Sequence, residues 1–248
     1  MLSALGASAD ARVAALRRYP PQTDMPPGLV FKLALALAEQ GRGEAAEALF
    51  RDRFFPREEG GTSVRAVFTQ VRLRRAETAL HEQHCEDALR LLDSLDRAVP
   101  GLEFTRGGLT DLLQPSIVQR QVAAIESACG RQTQAQQRLA RLARAAGADS
   151  GPLQVALAYD AARALGDATI DAWRSRLTDA LASASRTLEA GTSSSPGTFQ
   201  LALGLLLRAL GREPEAVRAF TDVFKLPDRN LSYYYARSAL ASRPSGGR

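Results

Sequence analysis

The sequence predicts an all-α fold of antiparallel helix pairs, and three observations carry that expectation. Hydrophobic residues make up 45% of the 248-residue chain while aromatics make up only 6%, so Ala and Leu dominate the apolar set. Small and medium aliphatics with few β-branched residues favour helices packed closely on helices, and this apolar content excludes disorder on compositional grounds. One spacing of small residues, glycine and a bulky apolar residue recurs along the chain. Glycine or proline stands in these segments where a helix would have to end.

The elements follow in chain order. A first helix from about Ala9 to Tyr19 caps the array. The segment LALALAEQGRGEAAEALF then sets Ala34, Gly41, Ala46 and Phe50 at intervals of seven, five and four. After a connecting loop at 54–63, RRAETALHEQHCEDALRLLDSLDRAVP carries Ala76, Ala88, Leu92 and Pro100 at twelve, four and eight. A second loop runs over 100–115. The segment QVAAIESACGRQTQAQQRLARL returns to seven, five and four with Ala123, Gly130, Ala135 and Leu139. A weaker copy, VALAYDAARALGDATIDAWRSRL, keeps a turn at Gly166 and a second helix at Trp173. Past the polar loop at 191–197, LALGLLLRALGREPEAVRAFTDVFKLP gives the clearest unit, with Gly204, Gly211, Ala216, Phe220 and Pro227. Gly204 permits close helix approach, Gly211 ends the first helix, Ala216 is the small contact residue, Phe220 fills the space between repeats, and Pro227 stops the second helix. Residues after Ala241 read as a disordered tail.

This spacing resembles the tetratricopeptide unit. The resemblance implies a solenoid of antiparallel helix pairs forming a right-handed superhelix, with the first helix of each pair lining a concave groove. It implies a single helical-repeat domain over 1–240, about five pairs plus capping helices, followed by the tail at 241–248. A lone pair cannot bury its apolar face, so stability would be roughly a sum over stacked neighbours. The insert loops make the repeat longer than the usual ~34 residues.

Two stretches carry a narrower resemblance. FRDRFFPREEGGTSVRAVFTQVRLRRAETAL (50–80), with Gly60 and Gly61, resembles the helical C-terminal region of large bacterial proteins that bear a galactose-mutarotase-like β-domain of unknown function. LRALGREPEAVRAFTDVFKLPDRNLSYYYARSALA (207–241) resembles the end of such regions. The β-domain has no counterpart in this sequence, so no catalytic residue is carried over. The resemblance implies a carbohydrate-related context, a detached or shortened member, and a sugar-associated β-domain as one kind of partner.

The formal net charge is +5 and the pI about 9.7. Lys32 and Lys225 are the only lysines; the arginines are spread along the chain among Asp and Glu. That distribution fits a solvated helix surface, and with no basic run or stacking aromatics it does not favour nucleic acid. The N-terminal stretch lacks a basic segment ahead of its apolar residues, and apolar runs such as Leu201–Leu207 are too short to span a bilayer, so the cytoplasm is the expected compartment.

Candidate chemistry is sparse. Cys85 and Cys129 are too few and too far apart for a disulfide framework and are expected to be small buried hydrophobes. His81, His84 and Cys85 form H-x-x-H-C, a possible zinc set if Cys129 joined it, but the second cluster is one residue and a polar turn is the plainer reading. A nucleophilic cysteine would need a partner base, and no such signature surrounds Cys85. Glu58 and Glu59 are adjacent in a loop, where paired carboxylates rarely face each other across a cleft. The glycine pairs at Gly60–Gly61 and Gly107–Gly108 lack the spacing and lysine of a phosphate loop. One of Phe54 and Phe55 should plug a gap between repeats. Of Tyr233, Tyr234 and Tyr235, about 100° apart on a helix, one or two should cap the last repeat and one be exposed. The sequence thus predicts a non-enzymatic scaffold without cofactor or metal, binding a protein segment. Arg72, Arg75, Gln119, Gln200 and Tyr234 are its candidate partner-binding residues. Arginine's forked donors favour an acidic ligand.

Overall fold

A computed structural model describes residues 7–19, 25–55, 63–147, 149–167, 169–226 and 231–241. Among the described residues every regular element is helical, without a strand. Where repeat counting gave one domain over 1–240, contacts divide the chain into two compact units, meeting between Ala135 and Gln136. Glu58, Glu59, Gly60, Gly61, Pro227 and the tail beyond Ala241 lie outside the described residues.

The N-terminal unit contains α1 (Ala9–Leu16), α2 (Pro27–Glu39), α3 (Gly43–Ala48), α4 (Val64–His81), α5 (Cys85–Asp93) and α6 (Ser116–Ala128), with the start of α7 (Gln132–Arg144). The C-terminal unit contains α8 (Pro152–Ala164), α9 (Ile170–Glu189), α10 (Pro196–Ala209), α11 (Glu213–Val223) and α12 (Leu231–Ala241). Proline occupies the first turn of α2, α8, α10 and α11, where its missing N–H removes no helical hydrogen bond. Ser8 caps α1, its hydroxyl accepting from the Ala11 N–H at 3.2 Å.

One turn geometry recurs five times. It places Gly41, Gln83, Gly130, Gly166 and Gly211 at φ of 77°, 63°, 83°, 79° and 77°. The following N–H reaches back to the carbonyl five residues earlier in each copy: Arg42 to Leu37, His84 to Ala79, Arg131 to Glu126, Asp167 to Ala162, Arg212 to Leu207, all at 2.8–2.9 Å. This is the Schellman closure, which satisfies a carbonyl left open at a helix C-terminus. In four copies the next helix starts alike, with Ala46, Ala88, Ala135 and Ala216 donating to the carbonyl four residues back. Those four alanines are fully buried. The copy at Gly166 departs: α9 starts later, capped by Thr169, whose hydroxyl accepts from the Ala172 N–H at 3.4 Å. The second copy has no glycine because Gln83 takes the left-handed conformation, at a cost of about 1 kcal/mol or more that its neighbours over-determine.

The core of the N-terminal unit is aromatic. Phe50 lies within 5.5–6.5 Å, centroid to centroid, of Phe31, Phe55, Phe68 and Phe104. Such pairs contribute about 0.5–1.5 kcal/mol each beyond the area they bury. Phe55 therefore fills the gap, while Phe54 is 86% exposed. The stretch at 100–115, expected as a connecting loop, is folded: short 3-10 turns at Glu103–Thr105 and Thr110–Leu113 bury Leu102, Thr105 and Leu109. Arg65 of α4 holds it by donating to the Gly108 carbonyl at 2.9 Å and to both Asp111 carboxylate oxygens.

In the C-terminal unit α10 and α11 close on one contact. A Cβ at Gly204 would fall 2.4 Å from the Phe220 ring, so only glycine admits this approach. Arg208 lies 4.7 Å over that ring, pairs bidentately with Glu213 and donates to the Ala239 carbonyl, joining α10, α11 and α12. Beside it Val155, Tyr159, Leu177 and Leu206 form a second cluster, with the Trp173 ring tilted against Tyr159 at 5.7 Å.

The cysteines correct the sequence expectation. Cys85 and Cys129 are disulfide-bonded, with Cα atoms 5.2 Å apart, and both are half-buried rather than core. Sequence distance misleads here because successive helix turns lie side by side. Cys85 directly follows the α4–α5 turn and Cys129 caps α6 just ahead of its own turn, so a separation of 44 residues closes to contact.

Candidate functional site

A cleft lined largely by charged groups lies in the N-terminal unit and has a volume of about 760 Å³. The α4 helix floors it with Arg72, Arg75 and Thr78. The α2–α3 turn walls one side with Arg42 and Glu44, and α5 walls the other with Asp87 and Arg90. Its floor is a charge network. Arg72 is buried, directs its guanidinium to both carboxylate oxygens of Glu47 at 3.3 Å, donates to the Ser94 hydroxyl and lies 4.9 Å over the Phe68 ring. Arg75 contacts Glu47 at 3.0 Å and Glu44 at 3.0 Å. Buried Glu47 thus sits between two arginines, which supply the compensation a desolvated carboxylate requires. Arg75 also packs where a Cβ of residue 43 would stand, 2.0 Å from its Cγ, so Gly43 is what lets α4 and α3 meet. Around the rim, Glu44 and Arg90 are exposed, and His84 Nδ1 is 3.6 Å from Glu82.

The five candidate partner-binding residues fall in different places. Arg72 and Arg75 are brought together in this cleft, Arg72 as buried floor and Arg75 with 23% of its side chain exposed. Gln119 is half-buried on α6 and donates to the Leu113 carbonyl. Gln200, on α10, donates to the Ala219 carbonyl at 3.3 Å, tying α10 to α11. Tyr234 is fully buried, not a surface anchor; its ring meets Tyr233 edge-on at 5.2 Å, and Tyr233 meets Phe224 likewise at 5.1 Å. The capping alternative therefore describes this triplet, with Tyr235 half-buried. Sequence reasoning missed Arg42, Glu44, Asp87 and Arg90; they surround the recurring turn, whose position was the available signal.

His81 and His84 are exposed, and the Cys85 sulfur is bonded to that of Cys129, which removes both as metal ligands or nucleophiles while the bond is intact. Among the described residues, His, Cys, Asp and Glu form no group of three placed to hold a metal. A second hollow, about 1130 Å³, lies by Phe54, Phe55 and Phe104. Its arginines are engaged internally: Arg53 with the Met25 carbonyl, Arg65 with Asp111, Arg106 with Glu103.

Behind α5, Arg131 contacts Asp93 with two hydrogen bonds of 2.5 and 2.6 Å. That hydrogen bonding, against some desolvation, holds the Asp93 carboxyl below its ordinary value and raises Arg131. Among the described residues, no helix is long and apolar enough to cross a membrane. No family model matches this chain, and neither a curated protein nor a solved structure resembles it significantly.

Proposed function

We propose that this chain is a non-catalytic interaction protein of the tetratricopeptide type, its helix pairs stacked as a right-handed superhelix, and that it binds a protein segment. The observation that carries the proposal is the turn repeated at Gly41, Gln83, Gly130, Gly166 and Gly211, with buried alanines at matched positions after four of them. Repeats of one helix-turn-helix unit generate extended surfaces that accept polypeptides. The binding position in this reading is the cleft floored by α4. Its network leaves Arg75 partly exposed and Arg90 at the rim, both able to make forked contacts with carboxylates. An acidic segment in extended or helical form is the fitting ligand.

An array of acidic, neutral and basic peptides tests this against the purified full chain. Acidic peptides should bind in preference, and Arg90→Glu should weaken them about tenfold, the scale of one charge-assisted contact. Binding that ignores peptide charge, or that is untouched by Arg90→Glu, would remove the cleft from the account.

A further inference from the structure

The disulfide lies on a helix that walls the cleft. Cys85 is the first residue of α5, and Cys129 ends α6. At 100° per residue, Cys85 points away from Asp87 and Arg90, which face the cleft from the same helix. The bond therefore fastens the back of the helix whose front is a cleft wall. A second fastening lies further along α5, where Asp93 pairs with Arg131 two residues beyond Cys129. Non-covalent contacts also hold α5 and α6 to each other and to α4: Ala88 and Leu92 are buried on α5, Val122 and Ala123 on α6, and Gln121 of α6 donates to Glu77 of α4. Enough non-covalent contact surrounds the bond for the fold to persist without it, while the first turn of α5, whose Glu86 and Asp87 are exposed, keeps buried Ala88 and the His84-to-Ala79 closure as its anchors once the bond is gone.

We propose that the Cys85–Cys129 disulfide is a redox-sensitive staple that fixes the α5 wall of the cleft, and that reduction by a dithiol releases the first turn of α5 without unfolding the chain. The two residues are half-buried, within reach of a small or protein dithiol. A thiolate of the reductant attacks Cys129 Sγ, the Sγ–Sγ bond breaks, and Cys85 leaves as a thiolate at the positive end of α5. The reductant's second thiol then displaces Cys129 and closes the reductant's own disulfide. Two electrons pass to the protein, and the reductant's two protons end on the two cysteine thiols. The chain has no third cysteine, so the staple exchanges only with an outside thiol pair.

Its consequence for ligand binding rests on the cleft reading; the staple itself does not. Hydrogen exchange read by mass spectrometry on the full chain, oxidised and then reduced with dithiothreitol, tests it. Reduction should raise exchange several-fold across 84–94 and 123–131, leave 196–223 unchanged, and preserve the helical circular dichroism. A Cys85→Ser, Cys129→Ser double variant should match the reduced protein and ignore the reductant. Alkylation should label no cysteine before reduction and two after it. Unchanged exchange on reduction, or loss of helicity throughout, would overturn the proposal. If exchange responds while no acidic peptide binds in either state, the staple stands and the cleft reading fails.

Discussion

The first and last of the recurring turns place a phenylalanine at the same position, and the two units surround it differently. Phe50 is held by four other rings, two of them, Phe55 and Phe104, delivered by the stretches that follow α3 and α5. Phe220 is pressed onto the bare backbone of Gly204 and covered by Arg208. Both are fully buried. The frame fixes where the side chain arrives, and the inserted chain decides what meets it. One unit gains its fit by adding aromatic surface, the other by removing a side chain.

Substitution can break that comparison at either end. Phe50→Ala and Phe220→Ala should each cost about 3–5 kcal/mol in chemical denaturation, since both leave cavities in packed surroundings. A small loss at Phe50 would mean that the cluster collapses around the gap. Gly204→Ala comes next, at about 1–3 kcal/mol, because its new methyl meets the Phe220 ring. That loss should largely vanish in a Phe220→Ala background, and additive costs in this double-mutant cycle would refute the contact. The preference reverses at the matching position in the N-terminal unit: Ala34 is fully buried, so Ala34→Gly should destabilise by about 1 kcal/mol or more, through helix propensity and the lost buried methyl.

The frame was legible because glycine and alanine are dictated by backbone conformation and close approach, which sequence expresses directly. Gly204, Gly211 and Ala216 occupy the roles their spacing assigned, while Phe220, expected between repeats, packs on Gly204 and Arg208 of its own helix pair. The stretch at 100–115 was not legible as packed structure: turn residues dominated its appearance, although Leu102, Phe104 and Leu109 were the signal of burial. The disulfide was hidden because its partners belong to successive helix pairs, and only stacking makes them neighbours. Site residues were the least legible. Arginine reads as surface, yet Arg72 is buried because Glu47 and Ser94 meet it. Tyr234 reads as one of three equivalent rings until the helix phase selects it for the core.

A smaller effect separates the ionic fastening of α5 from its covalent one. The folded Asp93 carboxyl titrates below its ordinary value, so the pair with Arg131 adds stability above that value and loses it as pH falls through the folded one. Asp93→Asn should therefore lower stability at neutral pH, by under about 1 kcal/mol for so exposed a pair. The difference from wild type should close in acid, and a difference that persisted in strong acid would assign the effect to packing.

The smallest change bears on the central claim, that one turn geometry organises every helix pair whether or not glycine supplies it. Gln83 holds the left-handed conformation that glycine holds in the other four copies. Urea denaturation of Gln83→Gly measures whether that is so. The account predicts a rise in stability of about 0.5–1 kcal/mol, as backbone strain is relieved and only partly offset by the freer unfolded chain. A fall in stability would show that residue 83 does not adopt the shared turn, and would contradict the common frame at the one copy whose turn carries no glycine.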